Sequence, residues 1–220
     1  MSAGTPGPRS REVVAQQVPQ TTLAGFPAYR LDPRTVLCRA HLATQGPWWF
    51  SHDGGGRFDL PAPRGTCYLA TDPAVAVRER LGAVLGGLPY VPMSLLEGVV
   101  VSRLGVPATR RLANLRVARA ADFGVTRELE TMVPYAVPQA WARALADTGM
   151  QGVRYGPRFT PGPASSVALF DDAGAREWPT DATPVPAVDV PGGPHPMPAP
   201  HRADLTVVRP PGTRTRGQKA

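Results

Sequence analysis

Residues 47–81 read PWWFSHDGGGRFDLPAPRGTCYLATDPAVAVRERL, and the fold class turns on how this stretch divides. Pro61, Pro63 and Gly65 are turn signals, so TCYLA behind them reads as a short strand. Thr71-Asp72-Pro73 then opens a helix: Asp72 suits the N-cap, and Pro73 suits a first turn that needs no amide donor. AVAVRERLGAVL continues that helix, and Gly86-Gly87 would stop it. Working outward, AYRL at 28–31 is a strand leading into a loop at Asp32-Pro33. SLLEGVVVSRL holds a strand near its valines, and LRVA is a further short strand candidate. PQAWARALADTG is the clearest amphipathic helix, with Ala140, Trp141, Ala144 and Leu145 on one side and Gly149 as its stop. MQGVRY and SSVALF close the series as strands. Strands outnumber helices without regular βαβ alternation, which predicts an α+β fold.

The 220 residues are 42% apolar and include 27 prolines. Ten of these prolines fall between Pro179 and Ala220, in runs that read as solvated, extended chain. The sequence therefore predicts a disordered N-terminal tail over 1–25, one domain over 26–178, and a Pro-rich disordered C-terminal tail over 179–220. The net charge is +7, but the arginines are scattered rather than gathered into a stripe, which argues against direct nucleic-acid binding. Cys38 and Cys67 are the only cysteines, with no CxxC and no histidine at ligand spacing, so neither a zinc site nor a disulfide framework is expected. Reduced thiols and the lack of an apolar leader or spanning run suggest a cytoplasmic protein away from membranes.

Four side chains stand out as chemistry. Arg30 lies in a strand that reads as buried, where a guanidinium needs either an internal carboxylate or a ligand anion. Gly54, Gly55 and Gly56 precede Arg57; they form either a plain surface loop or a concavity of amides suited to an anion. Tyr68 lies in the TCYLA strand and Glu79 on the first helix. Neither the phosphate-loop nor the dinucleotide glycine fingerprint is present. Trp48 and Trp49 read as packing under the loop, His41 and His52 as incidental, and Glu128 and Glu130 in ELETMVPY as solvent-facing.

The order YR, GGGRFD, GTCYLATDPAVAVRE, GVRY and ALF resembles the RES domain family. The likeness is closest to the branch with PWWF, GRFDLPxPxGTCYLA and GVTxELxTMVPYxxPQxW, and it runs from about Tyr29 to Trp178. That resemblance implies an ADP-ribosyltransferase-like fold, a split β-rich core with flanking helices gripping NAD. It also implies an NAD+-degrading toxin, a phosphorylase or glycohydrolase with inorganic phosphate as a co-substrate, held inactive by an antitoxin of the Xre type. Carried over by position, Arg30 would grip the diphosphate or the attacking phosphate, with Arg57 beside it. Tyr68 would stack on nicotinamide, and Glu79 would stabilise the positive charge that develops on the ribose. One position departs from the family: where a serine is expected after RY, this chain has Pro157, which has no hydroxyl and no amide donor. Two other readings stay open: a catalytically impaired module that binds NAD or a partner, and an ADP-ribosyltransferase acting on a protein.

Overall fold

A computed structural model describes residues 16–85, 90–180 and 183–199. It shows a sheet-rich α+β core with few helices, as the sequence predicts. The strands are β1 (Ala28–Leu31), β2 (Leu37–Leu42), β3 (Trp49–Phe50) and β4 (Arg64–Ala70), followed by helix α1 (Pro73–Leu81). Then come β5 (Tyr90–Pro92), β6 (Val99–Leu104), β7 (Arg110–Asn114), helix α2 (Ala136–Asp147), β8 (Gly152–Tyr155) and β9 (Ser166–Asp172). The series ends with β10 (Gly174–Ala175), β11 (Val185–Pro186) and β12 (His195–Met197). LRVA is not a strand: β7 is the preceding RRLAN, and the chain turns after Asn114.

Eight strands form one sheet in the order β1-β7-β8-β9-β4-β2-β6-β11. Its neighbours run antiparallel except for the parallel pair β7 and β8. β4 and β9 pair along seven residues, from Arg64 opposite Asp172 to Ala70 opposite Ser166. On its other side β4 meets β2 at one register only, Cys38 opposite Ala70. The two strands diverge beyond that point, and this opening in the sheet positions the site.

Helix α1 packs over the opening on β2 and β4. Asp72 caps it as expected, accepting from the Val75 amide at 3.1 Å, with Pro73 in the first turn. The helix ends earlier than the sequence suggests, because Gly82 takes a positive φ of 56° at its C-cap. The predicted stop at Gly86-Gly87 lies outside the described residues. Helix α2 buries Trp141 and Leu145 in a cluster with Phe26, Phe58 and Phe170.

Both tail boundaries need correction. Gln16 is buried and its side-chain oxygen accepts from the Thr126 amide at 2.7 Å, while Trp141 donates to the Gln17 carbonyl at 2.8 Å. At the other end β11 extends the main sheet against β6, β12 pairs with β5, and Ala187 and Val190 are buried beside Val99 and Val101. Proline density concealed this. Pro186 stands on a sheet-edge strand and Pro196 in a two-stranded pair, places that tolerate a missing donor. The expected disorder of residues 1–15 and 200–220 lies outside the described residues.

Candidate functional site

A cleft of about 330 Å³ occupies the opening between β2 and β4 under α1. β2 contributes Cys38, Arg39 and Ala40, and β4 contributes Tyr68, Leu69 and Ala70. Ala76, Glu79 and Arg80 come down from α1, Arg57 from the glycine loop, and Tyr135, Tyr155 and Ser166 from the far side. Three of the four side chains singled out in the sequence therefore meet here.

Arg57 is only 7% exposed, and its Nε has no hydrogen-bond partner among the described residues. Its guanidinium lies 5.4 Å from the centre of the Tyr135 ring, a cation–π contact that offsets part of the cost of burying the charge. Glu79 is half-buried, and its Oε1 accepts from the Phe159 amide at 2.7 Å. Burial pushes its carboxyl above the ordinary glutamate range. The amides of Phe159 and Arg158 and the charges of Arg57 and Arg158 oppose that shift.

Tyr68 donates from its hydroxyl to Asp59 Oδ1 and accepts from the Phe58 amide, both at 2.8 Å. Burial and the Asp59 charge hold its phenol well above the usual tyrosine value. Gly56 packs so tightly here that a Cβ would fall 2.3 Å from the Tyr68 oxygen and 2.4 Å from Asp59 Oδ1. Of the two readings of the glycine loop, the amide concavity does not form. Gly55 donates to Asp53 and Gly56 to Asp59, each at 2.9 Å, so two of the three amides are already committed. Gln139 of α2 fixes the loop from outside, donating to the carbonyls of Gly54 and Gly56 at 2.9 Å.

Arg30 does not join this cluster. It is exposed on β1, at the sheet edge opposite Arg111, with β7, β8 and β9 between its strand and β4. A four-residue alternating strand reveals neither which face is buried nor where in the sheet it lies. Arg39 and Arg80 supply the further positive charge of the cleft instead. Arg39 Nη1 donates to the carbonyls of Pro47 and Trp49 and lies 3.1 Å from Cys67 Sγ, so this guanidinium fills the gap where the strands part. Burial, and then the nearby Arg39, lower the Arg80 pKa, so the two cations are close enough to repel.

Pro157 also lies outside the cleft, lining a separate hollow with Arg116 and Thr160. The hydroxyl that does reach the cleft belongs to Ser166, buried beside the Tyr155 phenol, which burial and the Glu79 charge push upward. Trp48 is buried against Trp178 and Trp49 is half exposed; neither lines the cleft. His41 is fixed structurally, with Nε2 2.9 Å from Ser102 Oγ and Nδ1 2.9 Å from the Leu42 carbonyl.

A buried arginine, a desolvated glutamate and a tyrosine ring, drawn from GGGRFD, CYLA and AVAVRE, share one cleft. The model of the RES domain matches residues 28–206. This chain belongs to the RES domain family. The RES domain thus extends past Trp178, in agreement with the packing of β11 and β12. Among solved structures, the crystal structure of the M. tuberculosis MbcT-MbcA toxin-antitoxin complex is similar at 16% identity and a TM-score of 0.49. That likeness covers 64% of this chain and 74% of the other. No curated protein matches the sequence. Within this RES domain, Arg39, Arg80, Tyr155 and Ser166 are the cleft residues that sequence reasoning missed. Arg80 adjoins Glu79, and Tyr155 ends the GVRY motif. Arg39 in LCRAHL carried no local signal beyond a charge among apolar residues.

Proposed function

We propose that this RES domain cleaves the bond between nicotinamide and ribose in NAD+, transferring ADP-ribose to inorganic phosphate or water. The observation that carries the reading is the buried Arg57, without a hydrogen-bonded carboxylate among the described residues, in the same cleft as Glu79. A cation buried this way suits an anionic ligand, and a diphosphate takes guanidinium hydrogen bonds in pairs. Arg39 and Arg80 add positive charge whose mutual repulsion a phosphate placed between them would relieve.

In the reaction the glycosidic C–N bond breaks, and its electron pair goes to the pyridinium nitrogen, which leaves as neutral nicotinamide. Positive charge passes to the ribose, where the Glu79 carboxylate stabilises it and accepts a ribose hydroxyl hydrogen bond. A phosphate oxygen closes onto the same carbon to give ADP-ribose 1″-phosphate, whereas water gives ADP-ribose and a proton. Tyr68 offers its ring to nicotinamide, and Ser166 offers the hydroxyl that Pro157 cannot.

Family membership supports a role as the toxin of a toxin–antitoxin pair, with an Xre-type antitoxin as partner. Incubating the purified chain with NAD+ and measuring nicotinamide tests the activity. Release that rises with phosphate supports phosphorolysis, and labelled ADP-ribose on a protein would instead mark a transferase. NAD+-dependent thermal stabilisation without turnover would mark a binding module.

A further inference from the structure

Glu130, read from the sequence as solvent-facing, is 5% exposed, and its Oε1 accepts from the Gly156 amide at 2.8 Å. Gly156 fits tightly there: a Cβ would fall 2.6 Å from Arg116 Nη1 and 2.8 Å from Glu130 Oε2. Three residues on, Phe159 donates to Glu79, whose pKa the neighbouring Arg158 amide also helps to hold down. Pro157 has no amide and a restricted φ. The first and last amides of Gly156–Phe159 therefore each go to a carboxylate, Glu130 at one end and Glu79 at the other.

We propose that Glu130 is a positioning residue for the site, anchoring Gly156 so that the following amides stay on the Glu79 carboxylate. Its importance for catalysis rests on the reading of Glu79 given above, but the geometric claim does not. Glu79 also faces the charges of Arg57 and Arg158 and the Tyr155 phenol. Glu130 faces Arg127, whose Nη1 is 3.9 Å from Oε2, Arg116 across Gly156, and the Tyr155 phenol, on which its charge also acts. Freed from Glu130, the segment can move away, leaving Glu79 desolvated with fewer donors.

The test is a carbon-13 NMR titration of the Glu79 carboxyl in the full chain, assigned by its loss in Glu79→Gln. It compares wild type with Glu130→Ala, Glu130→Asp and Glu130→Gln, alongside nicotinamide release against pH. Glu130→Ala should raise the Glu79 midpoint by about one unit, the worth of a lost hydrogen bond to a charged group. Glu130→Asp keeps the charge but falls short of Gly156, so it should raise the midpoint too and covers the case where the alanine variant does not fold. Glu130→Gln keeps the acceptor oxygen and should stay near wild type. In an active enzyme the acid limb of kcat moves upward with the midpoint while KM for NAD+ holds, which a loss of general stability would not produce. An unmoved Glu79 midpoint in both shortened variants, or a glutamine variant that behaves like alanine, overturns the proposal. If wild type releases no nicotinamide, the NMR comparison still decides the point, and the failure falls on the NAD+ reading alone.

Discussion

Arg57 and Glu79 each bury a charge that folding alone would not favour, and this sets opposite expectations for stability and function. Because burial raises the Glu79 pKa, the folded chain holds that proton more tightly than the unfolded chain does. The stability this provides is complete below the ordinary glutamate range and is lost as pH rises through the folded value. Glu79→Gln should therefore raise the melting temperature near neutral pH, while cutting nicotinamide release by about 100- to 1,000-fold. Release by wild type should fall on acidification at a pH above the ordinary glutamate value of about 4.3. Arg57→Met should likewise melt higher in the absence of ligand and lose the thermal shift that NAD+ gives wild type, as differential scanning fluorimetry would show. Arg30→Ala should leave nicotinamide release unchanged, whereas Arg80→Ala should raise KM for NAD+. That Arg57, Tyr68 and Glu79 belong together was legible because each sits in a recognisable run of neighbours, and all three line the cleft. Arg39 was not, because its place depends on two strands parting, a long-range event. That Pro157 would lie outside the cleft was not legible either, because position in a motif does not say which side of a loop faces it.

At the scale of elements, α1 was readable from its cap, because an N-cap and a first-turn proline are local chemistry. Asp72→Ala should cost about 1 kcal/mol in chemical denaturation, the usual worth of a side-chain cap. The glycine loop is held as an element by Asp53, Asp59 and Gln139. Gly56→Ala must displace Tyr68 or Asp59 and should destabilise by about 1–3 kcal/mol, as overpacking does. The segment 183–199 was illegible as structure, since composition averages over a stretch that a few side chains anchor. Ala187 and Val190 do this, and β11 covers the β6 edge. Ending the chain after Trp178 should therefore expose that edge and the apolar surface near Val99 and Val101, lowering the melting temperature and promoting association, measurable by light scattering.

For the whole molecule, the α+β class follows from counting elements, but the order of strands does not. β1 lies beside β7 and β4 beside β9, pairings far apart in sequence that no local pattern specifies. The cleft is a product of that order: β4 is fully paired on one side, paired on the other only at Cys38 of β2 and at Ser51 among the described residues, and roofed by the helix that follows it. Arginines from β2, α1 and the glycine loop converge on this opening together with one desolvated glutamate. The most direct measurement is nicotinamide release from NAD+ by the purified full-length chain, with and without inorganic phosphate, beside Glu79→Gln. Release by wild type, accelerated by phosphate and lost in the variant, is the expected result. A folded wild-type protein that releases no nicotinamide under either condition would contradict it.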